Sequence, residues 1–237
     1  EIKKYYIDYL KLAASYENSC NVDKVTDDKL ESMLDKLEEQ YGGYCFDEFY
    51  KKKVFNTWSV NSFFQSVKSN KKVEFGEYWN DNGIVPKILS DFVKNYEHEL
   101  FGCISNGDEL YVPTIDFKFS PSLTTIDPKV LMCQTGYLTL RSALTSGDLT
   151  VDLGIPNGEI YKALNRLLAI NFYKEGIYSL AKGVRDLLDA GEIKDIVDRF
   201  NSVINSVSYD HFPINSEAAV QNYLHLFLIG AGIESST

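Results

Sequence analysis

Apolar residues recur along most of this chain at spacings of three and four, the period of an amphipathic helix, and in a few short stretches the spacing tightens to two. Over 2–16, Ile2, Tyr5, Tyr6, Tyr9, Leu10 and Leu12 fall near one face while Lys3, Lys4, Asp8 and Lys11 stay wet, which predicts a docking helix. The run VTDDKLESMLDKLEEQYGGY predicts a second helix. Thr26 caps it, Asp27 and Asp28 suit the positive end of its dipole, Leu30, Met33, Leu34 and Leu37 form its stripe, and Gly42 stops it. A strand-like Val54-Phe55 precedes a third, capped at Asn56 or Thr57, with Val60, Phe63, Phe64 and Val67 inward. After a turn at Asn82-Gly83, a fourth carries Pro86 in its first turn and Ile88, Leu89, Phe92 and Val93 inward.

Between Glu99 and Phe119 the pattern changes to short apolar runs around Asn106-Gly107-Asp108, which suggests a hairpin of Leu110 to Val112 with a neighbour. Ser120 to Thr125 reads as a linker, and a short helix starts near Asp127-Pro128. Two alternating strands, Tyr137 to Leu140 and Leu149 to Leu153, precede a helix bearing Ile160, Leu164, Leu167 and Leu168, a winged-helix-like outline. From Ser179 to Ile204 the periodicity fits two helices broken near Ala190-Gly191. A last helix, capped by Ser216, turns Val220, Tyr223, Leu224, Phe227 and Leu228 inward and stops at Gly230. The fold class is therefore mainly α with small β-hairpins (α+β), and no repeat of solenoid length runs through it.

Composition narrows the function classes. The 237 residues are 44% hydrophobic and 24% charged, a globular balance that excludes wholesale disorder or a fibre. A net charge of 24 − 34 = −10 repels a polyanion overall and leaves only local patches for nucleic acid. The apolar run Leu226 to Ile233 is interrupted by glycines and falls far short of the ~20 residues of a spanning helix. No secretion signal opens the chain, so the expectation is a cytoplasmic protein with no membrane segment. Both ends look like cuts through a longer one. Cys20, Cys45, Cys103 and Cys133 have no zinc spacing and read as buried free thiols. His98, His211 and His225 stand apart and read as structural.

The phosphate-loop string G-x-x-x-x-G-K-[ST] is absent, as are G-x-G-x-x-G, G-x-S-x-G and H-E-x-x-H. Acidic residues fall mostly on helix surfaces and first turns, where solvation and the dipole account for them. Lys51, Lys52 and Lys53, and then Lys71 and Lys72, form the basic runs, each beside aromatic residues. A solvated turn is the simpler reading of both; a phosphate-backbone contact with stacked bases is the other.

Taken together, several strings resemble the bacterial AAA-ATPase-like proteins whose C-terminal module belongs to the PD-(D/E)XK nuclease superfamily. YGGYCF at 41–46, VFNTWSVNSFF at 54–64 and YW at 78–79 look like that family's lid region. LMCQTGYLTL at 131–140 with LGIPNGEIYKAL at 153–164 is similar to its middle segment, and NSEAAVQNYLHLFLIGAGIES at 215–235 to the start of its nuclease-like module. The resemblance implies a helical lid over 1–119, a winged-helix-like segment with a helical hairpin over 120–205, and a truncated nuclease-like start over 206–237. It also implies that the nucleotide loop lies before Glu1 and the metal-holding acidic and lysine strings after Thr237. No cofactor is then expected in this chain, and ATP and Mg²⁺ belong to the parent. Glu217 and Glu234 match acidic places of the nuclease pattern, and Thr57 departs from the family's N-P-W-S.

Three functions compete. The leading one is a non-catalytic connector between a nucleotide-binding and a nuclease-like module, with a nucleic-acid or protein partner on its surface. The second is a nucleic-acid-reading wing and helix over 137–168, weakened by local neutrality: Arg141, Lys162 and Arg166 balance Asp148, Asp152 and Glu159. The third is an incomplete Mg²⁺-dependent nuclease around Glu234, completed by a partner chain.

Overall fold

The computed structural model of the chain describes residues 2–80, 87–106, 108–118, 126–144, 149–172, 177–205, 214–231 and 233. In chain order the elements are α1 (Ile2–Tyr5), α2 (Ile7–Glu17), α3 (Asp27–Tyr41), α4 (Thr57–Asn70), α5 (Lys87–Asn95), α6 (Glu97–Asn106), β1 (Leu110–Pro113) and α7 (Thr114–Lys118). They continue with α8 (Pro128–Gln134), β2 (Thr139–Leu140), β3 (Thr150–Gly154), α9 (Gly158–Phe172), α10 (Ile177–Ala190), α11 (Ile193–Ile204) and α12 (Glu217–Gly230). The protein is mainly helical with one small antiparallel sheet, the expected α+β class. Contacts divide it into two compact units, Glu1–Val85 with Glu109–Tyr161, and Pro86–Asp108 with Lys162–Thr237.

In the first unit α2, α3 and α4 bury Leu10, Ala13 and Ala14 against Met33, Leu37 and Tyr41 and against Val60, Phe63, Phe64 and Val67. Each large side chain removed from water there contributes about 1.5–3 kcal/mol before entropy is counted. The stripes of α3 and α4 are those the periodicity predicts. Asn56 is the cap of α4, its side chain accepting from the N–H groups of Trp58 and Ser59 at 3.0 and 3.3 Å. The first helix departs from expectation. Its pattern breaks at Tyr6 between α1 and α2, Tyr5 and Tyr9 are 66% and 41% exposed, and Ala13 and Ala14 join the predicted Ile2 and Leu10 in the core. Small side chains let the backbone of α2 approach its neighbours where tyrosines would hold it off.

The sheet runs β1-β3-β2, antiparallel throughout, with Leu110 opposite Leu153 and Thr139 opposite Gly154. The β2–β3 hairpin is the expected one, shortened. The expected local hairpin at Leu110 is corrected: the preceding residues form helix α6, and β1 pairs with the distant β3. Short apolar runs alone do not distinguish a strand from a turn of buried helix. Val54 makes only an isolated bridge to Tyr44. The predicted turn at Asn82-Gly83, Pro86 and the linker at 120–125 lie outside the described residues.

In the second unit α10 and α11 break at Gly191, whose φ of +74° is open to glycine at little cost. Ser216 Oγ accepts from Ala219 N–H at 3.2 Å and caps α12 as predicted. Val184, Ile196, Phe200, Val203, Tyr223, Leu226 and Phe227 are buried, and the rings of Phe200 and Phe227 meet edge to face. Val220 and Leu224, read as inward, are exposed, as are Leu188, Ile193 and Val197. These amphipathic stripes are wider than the faces their neighbours cover. No helix among the described residues is long and apolar enough to cross a membrane.

Candidate functional site

Four of the strings singled out in the sequence meet at one polar joint inside the first unit. It begins at the end of α3, where Gly42 caps the helix and Gly43 adopts φ +80°. A Cβ on Gly43 would stand 2.1 Å from the carbonyl oxygen of Pro156, so the YGGY turn packs backbone to backbone on the IPNGE turn that starts α9. Asn157 clamps the two. Its Nδ2 donates to the Gly42 carbonyl at 2.8 Å, and its Oδ1 accepts from Ile160 N–H at 3.1 Å, capping α9. The N–H of Asn56 donates to the Tyr41 carbonyl at 2.9 Å, which brings the start of α4 to the same place.

Glu159 lies at the centre and is fully buried. Ser59 Oγ, in the first turn of α4, donates to its Oε2 at 2.7 Å, and the backbone N–H of Trp79 donates to its Oε1 at 2.8 Å. Burial raises the carboxyl above its ordinary range, and the bonds from Ser59 and from the Trp79 and Tyr78 backbone pull the other way. The first turns of α4 and α9 both supply Glu159's surroundings, and the positive ends of their dipoles favour an anion there. One carboxylate thus ties together three segments remote in sequence.

Aromatic hydroxyls surround it. Tyr41 Oη donates to the Gly76 carbonyl at 3.0 Å, and burial raises its hydroxyl above the ordinary phenol range. Burial likewise pushes Tyr44 up to about 12. Tyr44 Oη, Asn56 Nδ2 and Gln40 Nε2 are buried with no hydrogen-bond partner among the described residues. The fifth string, LMCQTGYLTL, joins the neighbouring loop: Cys45 N–H donates to Thr139 Oγ1 at 2.7 Å. Cys133 and Cys45 are buried, and burial pushes the Cys133 thiol up to about 12.

Chemically this arrangement is a fastening. Ser59 and Glu159 make a hydroxyl–carboxylate pair, and both residues are wholly shielded from solvent. The sequence reading counts Glu159 only in the charge balance over 137–168; the structure buries it. The missed signal lies in its neighbours. Ile160, Ala163 and Leu164 are buried on the same helix, and a residue beside that stripe is carried inward with it.

The other named residues do not converge. Glu217 is exposed in the first turn of α12, where the helix dipole accounts for its charge. Glu234 and His211 lie outside the described residues. Lys51, Lys52 and Lys53 are exposed in the loop between Tyr44 and Val54, Lys71 is the left-handed residue ending α4, and Lys72 pairs with Glu74. Among the described residues no group of three or more His, Cys, Asp or Glu side chains is gathered to hold a metal ion. All four cysteines are free thiols; Cys45, Cys103 and Cys133 are buried, as expected, and Cys20 is partly exposed. No family model, curated protein or solved structure matches the chain.

Proposed function

We propose that this chain is a non-catalytic coupling element, a connector that carries displacement between modules of the kind its strings resemble: an AAA-ATPase-like nucleotide-binding module and a PD-(D/E)XK nuclease-like module. The single observation that supports this reading is the use made of the resembling strings. Residues of YGGYCF, VFNTWS, YW and LGIPNGE are spent on a buried fastening, with Glu159 bonded to Ser59 and to the backbone of Trp79. Rigid elements fixed to one another at a shared point are what a coupling element needs, because displacement then passes along packed helices and not into a loop. The joint sits at the first turn of α9. A push on α4 at Ser59 therefore acts on the start of a long helix.

ATP and Mg²⁺ belong, on this reading, to the neighbouring modules. Titration of this chain with ATP and Mg²⁺ is expected to give no binding heat and no turnover, and saturable binding or hydrolysis overturns the proposal. The full reading frame of the gene tests the neighbours: a phosphate-loop string on one side and a metal-carboxylate string on the other are expected, and an uninterrupted frame lacking both contradicts the reading.

A further inference from the structure

We propose that the loop at 45–53 is a binding site for single-stranded nucleic acid, an activity that stands independently of the coupling role. The loop is built in advance. Its ends are pinned by the paired bonds of Tyr44 and Val54, at 3.2 and 2.8 Å. Its flank is held by Cys45 N–H on Thr139 Oγ1 at 2.7 Å and by Leu144 N–H on the Glu48 carbonyl, also at 2.7 Å. Inside it, the Asp47 carboxylate accepts from the N–H groups of Lys51, Lys52 and Phe49 at 2.9, 3.1 and 3.2 Å. Tyr50 is held at φ +55°, a conformation a non-glycine residue keeps only when its surroundings impose it. A ligand therefore meets a loop whose ordering entropy is already spent.

The outward surface of that frame alternates rings and cations. Phe46 and Phe49 are 58% and 61% exposed. The ammonium of Lys51 lies 5.2 Å from the centre of the Phe49 ring and that of Lys53 lies 5.4 Å from the Tyr50 ring. Lys3, Lys36 and Lys72 are paired with glutamates, whereas Lys51, Lys52 and Lys53 form no ion pair among the described residues. Exposed rings beside lysines that form no close ion pair suit stacked bases and a phosphate backbone, without sequence preference. An acidic peptide would satisfy the lysines and leave the rings without flat partners. A bilayer or long duplex reaching past the loop would meet a protein of net charge −10, while a short single strand can stay on Lys51, Lys52 and Lys53, which outnumber the loop's own Asp47 and Glu48.

The test is fluorescence anisotropy with a short labelled oligothymidylate. Three phosphate contacts on a single strand predict a log–log salt slope of about −2, so a fourfold rise in salt weakens binding about 20-fold. Replacing Lys51, Lys52 and Lys53 together by Ala is expected to abolish binding. Phe49→Ala is expected to weaken it about tenfold, the scale of one stacked base, and Lys3→Ala to leave it unchanged. These side chains are exposed, and far-UV circular dichroism checks that each variant is folded. The proposal is overturned by the absence of an anisotropy change, by binding that survives the triple substitution, or by capture of phosphatidylserine vesicles or polyglutamate without the oligonucleotide.

Discussion

The joint around Glu159 and the bundle of α10, α11 and α12 are held by different physics. The bundle is an assembly of amphipathic stripes, with Phe200, Val203, Tyr223 and Phe227 inside and Ile193, Val197 and Leu224 left in water. Non-directional burial tolerates such slack, because a stripe that slips by part of a turn still buries much of its area. The joint has none. Its partners are specific atoms at hydrogen-bond distance, and its turns touch so closely that a methyl group cannot enter. A directional joint fixes geometry and an apolar bundle supplies cohesion, and a part meant to transmit displacement needs the first.

The difference is sharpest at two glycines with similar backbone angles. Gly43→Ala combines left-handed strain with a Cβ 2.1 Å from the Pro156 oxygen. It is expected to cost about 3–5 kcal/mol, read as a lowered urea midpoint. Glu159→Ala comes next, at about 2–4 kcal/mol, because it leaves the Ser59 hydroxyl and the Trp79 N–H buried without their acceptor. Gly191→Ala, at φ +74° with no atom within 4 Å, should cost only about 1 kcal/mol. Equal costs at Gly43 and Gly191 would erase the contrast between the two regions.

Protonation separates the joint from the surface. The Glu159 carboxyl is raised by burial, so the folded protein binds that proton more tightly than the unfolded chain does. Its contribution is full below the unfolded carboxylate value of about 4.3 and is lost as pH rises through the folded one. Asp47 is lowered by bonds from its own loop's backbone, so its contribution is present above the unfolded value and is lost as pH falls. Denaturation followed across acid and neutral pH should show the Glu159 slope flattened in Glu159→Gln and retained in wild type; an unchanged slope contradicts the burial assigned to this carboxyl. The smallest effect is expected at Thr57, the first residue of α4, preceded by Asn56 in an extended conformation. Pro is favoured at that position, and Thr57→Pro should stabilise by about 0.4–1 kcal/mol, raising the melting temperature slightly.

The bundle was largely legible from periodicity, as were the cores of α3 and α4, the caps Asn56, Asp127 and Ser216, and the break at Gly191. Periodicity reports which face is apolar, and caps follow from which side chains reach a free N–H. Neither rule covers how wide a stripe the neighbours will conceal, which is why Val220 and Leu224 read as inward. The pairing of β1 with β3 was hidden for a related reason: long-range strand partners leave no mark in local spacing. The joint was legible only as separate strings. Glu159 looked like an ordinary first-turn acid because the residues bonded to it, Ser59 and Trp79, stand 100 and 80 positions away along the chain and share no pattern with it.

The measurement closest to the central claim is a double-mutant cycle on Ser59→Ala and Glu159→Gln, with unfolding free energies from urea titration. A buried bond between the two helices predicts a coupling of about 1–2 kcal/mol between the substitutions. Effects that add within about 0.3 kcal/mol would mean that α4 and α9 are not fastened through this pair, and the coupling role would lose its support.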